Sequence, residues 1–468
     1  MSIPKRLFKA LQRQGIHTEY QRGVYHVRNE AAQASILLPD SLALEAKAVQ
    51  QLLNFASVAE PEGHRGVCKA CATPDFHPGA IAPVGSIVAT DADFVIPAAI
   101  GTDINCGIRL LHTGLNHKQA EMHKSALIAR LTALVLHKNR DVPATAAAFS
   151  ALFDDGPEAC IERLPDAGLW RAADRVRLLS ELSECVGLDH MSSSSCWAPE
   201  ALLNQHDRSM IRPASLADLG GGNHFLEFAV VDRVLDRHAA YAADLKEGDL
   251  VTMIHTGSRD VGFYVGQRWI DAVRREWPAG KRHPKHGLYG LVGELADQYM
   301  HAMGMAARFA WLNRMALGEM VRQSLTDWGS DDTGRLIVDV PHNVALREHG
   351  FNVHRKGATP AHAGQLTLIP GSMGDHSYLA TGLGHADWLH SCSHGAGRRV
   401  RRQLTRRLNA NTGPEGMTGW QCVTLREERR IEEAPAAYKP VGPVITAQEE
   451  AGLIRSAVRL RPWLTFKA

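Results

Sequence analysis

The chain has 468 residues, of which 45% are hydrophobic and 22% are charged, and its formal net charge is +2. This balance is typical of a globular protein with a sizeable core, and it excludes a strong overall positive field, although a local basic patch would still attract nucleic acid. No window reaches the ~20 apolar residues of a membrane span, and the N-terminal stretch lacks the apolar core of a signal peptide. We therefore expect a cytoplasmic protein with no membrane partner.

The eight cysteines are scattered along the chain. They do not form the dense framework of a disulfide-rich secreted protein, which favours a reducing compartment. Cys68 and Cys71 form a CxxC motif, but no second pair follows it. We expect these two residues to be buried structural cysteines and not the ligands of a zinc knuckle.

The composition changes several times along the first two thirds of the chain. Residues 3–60 predict an opening segment that ends in a helix rich in alanine and leucine. Glycine, proline and β-branched residues predict strands and loops over 64–112. Apolar residues at three- and four-residue spacing predict helices over 117–210 and 288–328. Glycine- and serine-rich loops are expected over 219–262.

The last third predicts a loop-and-strand block over 335–397, then an arginine-rich helix, a polar segment and a short terminal strand. Together these elements predict an α+β fold in which a mixed β-sheet catalytic core presents long loops. The helices at about 117–210 and 288–328 are interpreted as insertions into a single domain of residues 1–468. The strand order is not predicted.

Five motifs contain candidate metal ligands: GTDINCG, GGNHF, MIHTGSRD, DVPHNVA and SCSHGAGR. Each one places its polar side chain beside an apolar run and next to Gly, Ser or Asn, where a strand ends. A single histidine there is more often a core or surface residue, Cys106 could be a small buried hydrophobe, and Asp103 could cap a turn. The shared local pattern nevertheless favours a metal site. The candidates are Asp103, Cys106, His224, His255, His342 and His394.

The chemistry of this ligand set favours zinc, because imidazole, thiolate and carboxylate together are its usual ligands. A set this large could also hold two ions with the thiolate as a bridge. Two metal ions can activate a phosphoryl group and stabilise both the incoming and the departing oxygen.

The motif around His394 differs from the others, because Gly-Ala-Gly and a run of arginines follow it. A glycine-rich turn that opens a helix offers free N–H groups to an anion, and guanidinium groups bind phosphate in bidentate fashion. The alternative is a solvated basic helix face. The arginines are Arg398, Arg399, Arg401, Arg402, Arg406 and Arg407. A neutral imidazole can attack phosphorus and carry the group, which makes His394 the candidate nucleophile.

With these residues assembled, the chain resembles the RtcB family of RNA ligases. The motifs PDFHPG, DINCG, GGGNHFLE, HTGSRDVG, HNVA, HRKGAT, IPGSMG, SHGAGR and EEAPAAYK occur in the family's order, and the similarity runs to Lys467. The chain departs from the family at Asn105, where glycine is usual, at Asp260, where a small residue is common, and in TPD, which replaces MPD. None of these departures removes a candidate ligand.

The resemblance implies a GTP- and Mn²⁺-dependent enzyme that joins RNA 3′-phosphate or 2′,3′-cyclic phosphate ends to 5′-hydroxyl ends. A histidine takes GMP from GTP, passes it to the RNA 3′-phosphate, and the 5′-hydroxyl then expels GMP. By the motif match, His394 is the catalytic residue and Cys106 bridges two Mn²⁺ ions. One ion also takes His255 and His342, and the other takes Asp103 and His224.

The resemblance also implies the residues that contact the guanylate: Asn223, His224, Phe225, Leu226, Glu227, His342, Asn343, Pro370, Gly371, Ser372, Met373, Ser377, His394, Gly395, Ala396, Gly397 and Lys467. Glu227 would accept hydrogen bonds from the guanine edge, because an ionised carboxylate is only an acceptor. Gly220 to Gly222 would let the backbone approach the nucleotide.

The implied partners are GTP and RNA, either cleaved tRNA or another broken RNA. Whether an archease-like activating partner is needed, as it is for some relatives, is left open. Manganese comes from the resemblance alone, since the ligands by themselves favour zinc. The alternative function is a dinuclear metal-dependent phosphoesterase on the same scaffold, which would activate water and form no covalent nucleotide.

Overall fold

The structure of the chain is a computed structural model that describes residues 5–61, 63, 65–203, 209–328, 334–400, 404–405 and 419–468. These residues form two large mixed β-sheets with helices around them, which confirms the predicted α+β fold. No helix in this part of the chain is long and apolar enough to cross a membrane.

Among the described residues, the first sheet contains seven strands: β1 (His17–Gln21), β2 (Val24–Arg28), β3 (Gln33–Leu37), β4 (Val67–His77), β5 (Val84–Asp91), β12 (Asn343–Glu348) and β13 (Phe351–Lys356). Their spatial order is β1-β2-β3-β4-β5-β13-β12. Within these seven described strands, only β3 and β4 pair in parallel. The sheet therefore joins N-terminal strands to a hairpin from the last third of the chain.

The second sheet contains eight strands within the described ranges: β7 (Gly107–Asn116), β8 (Phe225–Val234), β9 (Asp249–Thr256), β11 (Leu336–Pro341), β15 (Leu366–Ile369), β16 (Ser377–Gly382), β18 (Gln421–Thr424) and β19 (Ile454–Lys467). The order is β11-β7-β9-β8-β19-β16-β15, and β18 pairs in parallel with β19. Two short antiparallel pairs complete the strands: β6 (Phe94–Val95) with β10 (Leu291–Val292), and β14 (Ala358–Pro360) with β17 (Ser391–Ser393).

The α-helices of the described residues are α1 (Lys5–Arg13), α2 (Ala46–Ala56), α3 (Pro97–Ile100), α4 (His117–Met122), α5 (Lys124–Leu131), α6 (Ala146–Ser150), α7 (Pro157–Arg163), α8 (Arg175–Ser180), α9 (Glu200–Leu203), α10 (Arg237–Ala242), α11 (Arg259–Arg275), α12 (Gly293–Leu325), α13 (Glu427–Glu432) and α14 (Val441–Glu450). Short π-helical turns occupy Thr132–Leu136 and Ala151–Asp155, and 3₁₀ turns occupy Gly168–Ala172, Glu181–Glu184, Ser195–Trp197, Thr326–Trp328, Ala386–Trp388 and Pro435–Ala437.

Helix α12 is the centre of the largest apolar core, and it is buried along most of its 33 residues. Its neighbours include α5, α11 and the strands β7 and β9. Gly304 permits one close approach, since a Cβ there would lie 1.9 Å from the Ser192 carbonyl oxygen. The helices predicted over 117–210 and 288–328 are present as α4–α9 and α12.

Two predictions about local structure are wrong. The glycine- and serine-rich stretch at 219–262 contains β8 and β9 instead of loops alone, because its apolar runs are buried on both faces of the sheet. Cys71 is buried, but Cys68 is exposed. The two residues lie three positions apart on β4, and residues at odd spacing on a strand face opposite sides.

Candidate metal and nucleotide site

A cavity of about 570 Å³ opens where the two large sheets meet. Asn343 on β12 comes from the first sheet, whereas Glu227 on β8, His255 on β9 and Lys467 on β19 come from the second. The volume is within the range of pockets that hold nucleotide-sized ligands.

The five predicted metal ligands meet at one side of this cavity. The Cys106 Sγ atom lies 3.3 Å from the His224 Nε2 atom and 3.2 Å from the His255 Nε2 atom. His255 Nε2 lies 3.1 Å from His342 Nε2, and His224 Nε2 lies 3.1 Å from Asp103 Oδ2. The thiol is thus placed between a histidine–carboxylate pair and a histidine–histidine pair.

The loop that carries Asp103 and Cys106 owes its shape to Asn105. This residue has a φ of 50°, in the left-handed region where glycine is the default and asparagine is the best-tolerated alternative. Its side-chain nitrogen donates to the Ala307 carbonyl (2.7 Å), and its backbone N–H donates to the Asn343 carbonyl (2.7 Å). The departure from the family's usual glycine therefore keeps the backbone conformation and anchors the loop to α12.

The donor atoms fit a divalent cation. His224 Nδ1 donates to the Leu219 carbonyl at 3.0 Å, so its Nε2 carries a lone pair that faces the Asp103 carboxylate and the Cys106 sulfur. Burial, together with neighbouring imidazoles, holds the pKa values of His255 and His342 well below the ordinary value, so both rings are neutral. The nearest atoms of neighbouring donor groups lie 3.1 to 3.3 Å apart, and a cation bound between them would draw these groups into one coordination sphere. A thiol, three imidazoles and one carboxylate are donors suited to a borderline divalent metal.

His394 lies immediately after β17, with its ring centroid 4.8 Å from that of His342. Its Nδ1 atom donates to the Asp75 carboxylate at 2.6 Å. Burial by itself would raise the pKa of Asp75, but the hydrogen bond and charge of His394 and a hydrogen bond from Thr73 lower it below the ordinary value. An ionised Asp75 therefore keeps the proton on Nδ1 and leaves the His394 Nε2 lone pair available for attack on an electrophile.

Asp75 is a residue that the sequence analysis missed, although it lies in the quoted motif PDFHPG. The signal that could have found it is a carboxylate inside a buried apolar strand, because a buried charge needs a partner. Lys439, in the quoted motif EEAPAAYK, was also missed. Its ammonium donates to the Pro74 and Phe76 carbonyls at 3.0 and 2.6 Å and so fixes the backbone on both sides of Asp75.

Most of the residues predicted to contact a guanylate line the cavity: Asn223, Phe225, Glu227, His342, Asn343, Pro370, Gly371, Ser372, Met373, His394, Gly395, Ala396, Gly397 and Lys467. His224 lies behind the wall, within the donor cluster. The Leu226 side chain belongs to the core around α12. Ser377 accepts a hydrogen bond from the Gly371 N–H (3.1 Å), so it shapes the turn at 370–373.

Comparisons with known proteins identify the family of the chain. The family model described as "tRNA-splicing ligase RtcB" matches residues 51–468. The chain belongs to the RtcB family. Proteins named tRNA-splicing ligase RtcB from Aeropyrum pernix and Thermococcus kodakarensis are 30% and 32% identical to it, over 92% and 83% of this chain and 94% and 85% of theirs. An RNA-splicing ligase RtcB from Mycobacterium bovis is 32% identical over 88% of this chain and 98% of its own. The prediction of an RNA ligase enzyme is thereby confirmed.

In this RtcB-family chain, backbone conformation and close packing account for the glycine run before His224. Gly220 and Gly222 have φ values of 72° and 79°. A Cβ on Gly220 would lie 2.0 Å from the guanidinium carbon of Arg259. The Lys467 ammonium donates to the Gly222 carbonyl at 3.1 Å. The run therefore forms a turn that Arg259 and Lys467 hold against β8, and its approach to a nucleotide stays a prediction.

The arginine-rich helix predicted after the turn at Gly397 does not begin at residues 398–400, although residues 404 and 405 are helical. Arg398 forms a β-bridge with Tyr438, and the N–H groups of Arg399 and Val400 both donate to the Ala437 carbonyl, which diverts them from a helical pattern. The Arg398 guanidinium contacts Glu433 at 3.1 Å and so is part of an ion pair. Arg401, Arg402, Arg406 and Arg407 lie outside the described residues.

Proposed function

We propose that this protein joins RNA ends that bear a 3′-phosphate or 2′,3′-cyclic phosphate to 5′-hydroxyl ends, with GTP as co-substrate and two Mn²⁺ ions, in tRNA splicing or RNA repair. One observation carries the proposal: the Asp75-bound His394 faces the same cavity as a thiol–imidazole–carboxylate cluster. A nucleophile and a cation site side by side are what phosphoryl transfer through a covalent histidine requires.

His394 acts first in this proposal. Its Nε2 lone pair attacks the α-phosphorus of GTP, an N–P bond forms, and the bond from that phosphorus to the bridging oxygen breaks to release pyrophosphate. Asp75 accepts the hydrogen bond from Nδ1 throughout and stabilises the positive charge on the ring. A 2′,3′-cyclic phosphate end is first opened by water to a 3′-phosphate and a free 2′-hydroxyl. The RNA 3′-phosphate then takes GMP from His394, and the 5′-hydroxyl attacks the activated phosphate and expels GMP.

Asp103, Cys106, His224, His255 and His342 would hold the metal ions. When bound, the ions supply positive charge that offsets the negative charge of the phosphates in the transition state. The residues themselves favour zinc, and the proposal of manganese rests on the resemblance to the family. Glu227, which also lines the cavity, would bind the guanine edge, with its carboxyl fixed by the Thr465 hydroxyl.

The proposal is tested by incubation of the protein with [α-³²P]GTP and Mn²⁺, followed by measurement of label on the denatured chain. We expect label that is stable to base and labile to acid, as a phosphoramidate is, and we expect none on His394→Ala. A matched control is His238→Ala, which removes an exposed histidine from α10 and should label normally. An unlabelled wild-type chain, or label retained by His394→Ala, would contradict the proposed mechanism.

The same preparation tests the alternative. A metal-dependent phosphoesterase would release inorganic phosphate from a 3′-phosphorylated RNA without covalent label and without a joined product. The need for an archease-like activator is tested by addition of such a partner to the joining reaction. The cytoplasmic location and the single-domain organisation stay predictions.

A further inference from the structure

A second group of histidines lies on the surface, outside the cavity wall described above. His349, His362 and His390 each offer a ring nitrogen, and these nitrogens lie within 4.8 Å of one another. The ring centroids of His349 and His390 are 4.5 Å apart, and those of His362 and His390 are 5.2 Å apart. We name these three residues the histidine cluster.

The backbone brings the cluster together from three separate turns. His349 lies in the β12–β13 hairpin, His362 follows β14, and His390 precedes β17. The pairing of β14 with β17 and a hydrogen bond from the Ala361 N–H to the His390 carbonyl (2.7 Å) fix His362 beside His390. The approach of the three rings is therefore a property of the strand pairing and not of side-chain rotamers alone.

Arg355 connects the β12–β13 hairpin, which carries His349, to the turns that carry His362 and His390. Its guanidinium, fully buried, donates to both oxygens of Glu348 at 2.7 Å and to the Leu389 carbonyl at 3.0 Å. Glu348 also lies 3.5 Å from the His362 Nε2 atom. A carboxylate that orients an imidazole through one ring nitrogen leaves the other nitrogen for a ligand, which is the usual outer shell of a histidine metal site.

The backbone conformation at two of these positions is uncommon for residues other than glycine. His349 and His390 have φ values of 50° and 48°, and His349 is followed by Gly350 at 84°. His349 and Gly350 form a two-residue hairpin turn, for which Asn-Gly is the favoured pair. A residue type that a turn does not require, at a place where its ring meets two others, indicates a role for the ring itself.

We propose that the histidine cluster binds one zinc ion, or a divalent transition metal of similar chemistry, with solvent at the fourth position. Zinc–nitrogen bonds of about 2.0–2.1 Å in a tetrahedron place ligand nitrogens about 3.3 Å apart. The ring nitrogens, which lie within 4.8 Å of one another, would reach that spacing by small rotations of one exposed ring, that of His349, and two partly buried rings. An all-imidazole set selects zinc, nickel or copper over manganese, magnesium and calcium.

The proposed zinc site is distinct from the site at Cys106. His390 is separated from His394 by the whole of β17, a length of about 13 Å at the rise of a strand. Zinc binding at the histidine cluster does not depend on the proposed RNA joining, since it requires only the three rings and the turns that hold them.

Zinc bound per chain is measured after equilibrium dialysis against Zn²⁺ alone. His349→Asn and His390→Asn are the test variants, because asparagine tolerates the left-handed backbone and the turns remain intact. We expect each to bind one zinc fewer than the wild type at a concentration that saturates it, with affinity for that ion lowered at least about 100-fold. The matched control His238→Ala should bind as much zinc as the wild type.

A second measurement separates the two metal sites. Cys106→Ala removes the central ligand of the cavity cluster, and one zinc ion should still bind to this variant and be lost when His349→Asn is added. Equal zinc content in Cys106→Ala and in the double variant would overturn the proposal, as would a wild-type zinc content unchanged by both His349→Asn and His390→Asn. Loss of covalent label in the GTP experiment leaves this result unaffected.

Discussion

At the scale of single residues, the state of His394 is decided by a partner 319 positions away in the chain. The Asp75 carboxylate receives the His394 Nδ1 hydrogen bond at 2.6 Å and a second hydrogen bond from the Thr73 hydroxyl. This pairing selects the tautomer whose lone pair is on Nε2. A nucleophilic role for His394 therefore depends as much on Asp75 as on the histidine.

Asp75→Asn is expected to lower the rate of covalent labelling by GTP about 10²–10⁴-fold, because an amide can stabilise the wrong imidazole tautomer. The rate is measured with [α-³²P]GTP at saturating Mn²⁺. The control is Asp387→Asn, the same change at a largely exposed carboxylate that pairs with Lys69. A normal labelling rate in Asp75→Asn, with an unchanged melting temperature, would remove Asp75 from the mechanism.

Glu227 provides a pH test in the absence of any ligand. Burial raises its pKa from 4.5 to about 7, against the opposing hydrogen bond from Thr465 and the charge of Lys467. Because the folded pKa is higher than the unfolded one, the stability that Glu227 contributes is present below pH 4.5 and is lost as the pH rises through 7.

Glu227→Gln has no such loss. The free energy of unfolding of the variant, relative to the wild type, should therefore rise between pH 5 and pH 8, by about 3 kcal/mol for a shift of this size. Urea unfolding of both proteins without metal or nucleotide at several pH values measures the difference. Parallel pH profiles would show that the carboxyl group ionises normally in the folded protein.

At the scale of elements, α12 connects the core to the cavity. Arg314 on this helix contacts the Asp339 carboxylate at 2.8 Å and donates to the Asn105 and Thr256 carbonyls at 2.7 and 3.1 Å. Arg109 on β7 binds the same carboxylate at 2.9 Å. This buried network holds the loop of Cys106 and the end of β9 in place.

Asp339→Asn should destabilise the protein by about 3–5 kcal/mol, because it leaves two buried guanidinium groups without a charged partner. The measurement is the midpoint of urea unfolding. The matched control is Asp155→Asn, which removes an exposed ion pair with Arg163 and should cost less than about 1 kcal/mol. A similar small loss in both variants would mean that water or other groups compensate the buried arginines.

At the scale of the whole molecule, the cavity depends on the contact between two sheets. Asp75 and Asn343 belong to the first sheet, whereas Glu227, His255 and Lys467 belong to the second. A ligand that binds both walls favours the folded state over the unfolded one. The stability of the fold should therefore depend on metal.

Mn²⁺ at about 100 times its dissociation constant should stabilise the wild type by about 2.7 kcal/mol and raise its melting temperature, and a chelator should reverse the effect. Cys106→Ala should lose this response. Cys160→Ala is the matched control, because it removes another fully buried thiol that lies in the apolar core. That variant should melt at a lower temperature yet keep its response to Mn²⁺.

Much of the site could be predicted because its motifs are local. Cys106 and Asp103 are three residues apart, and Asn223 to Glu227 are contiguous, so a short sequence motif identifies each group. Asp75 could not be paired with His394 in this way, because their hydrogen bond joins β4 to the end of β17. The histidine cluster was not predicted for the same reason, since its rings come from three turns that only strand pairing brings together.

The sequence by itself determined the α+β class, the helical stretches that contain α4–α9 and α12, and the family, and it singled out the five candidate donor residues, because periodicity and contiguous motifs depend on neighbours in the chain. Only the tertiary structure decided the strand order, the partner of His394, the strands within 219–262 and the path of the chain after Gly397. These features depend on hydrogen bonds and burial between segments that are tens to hundreds of residues apart, and no local pattern encodes which distant segment satisfies a given group.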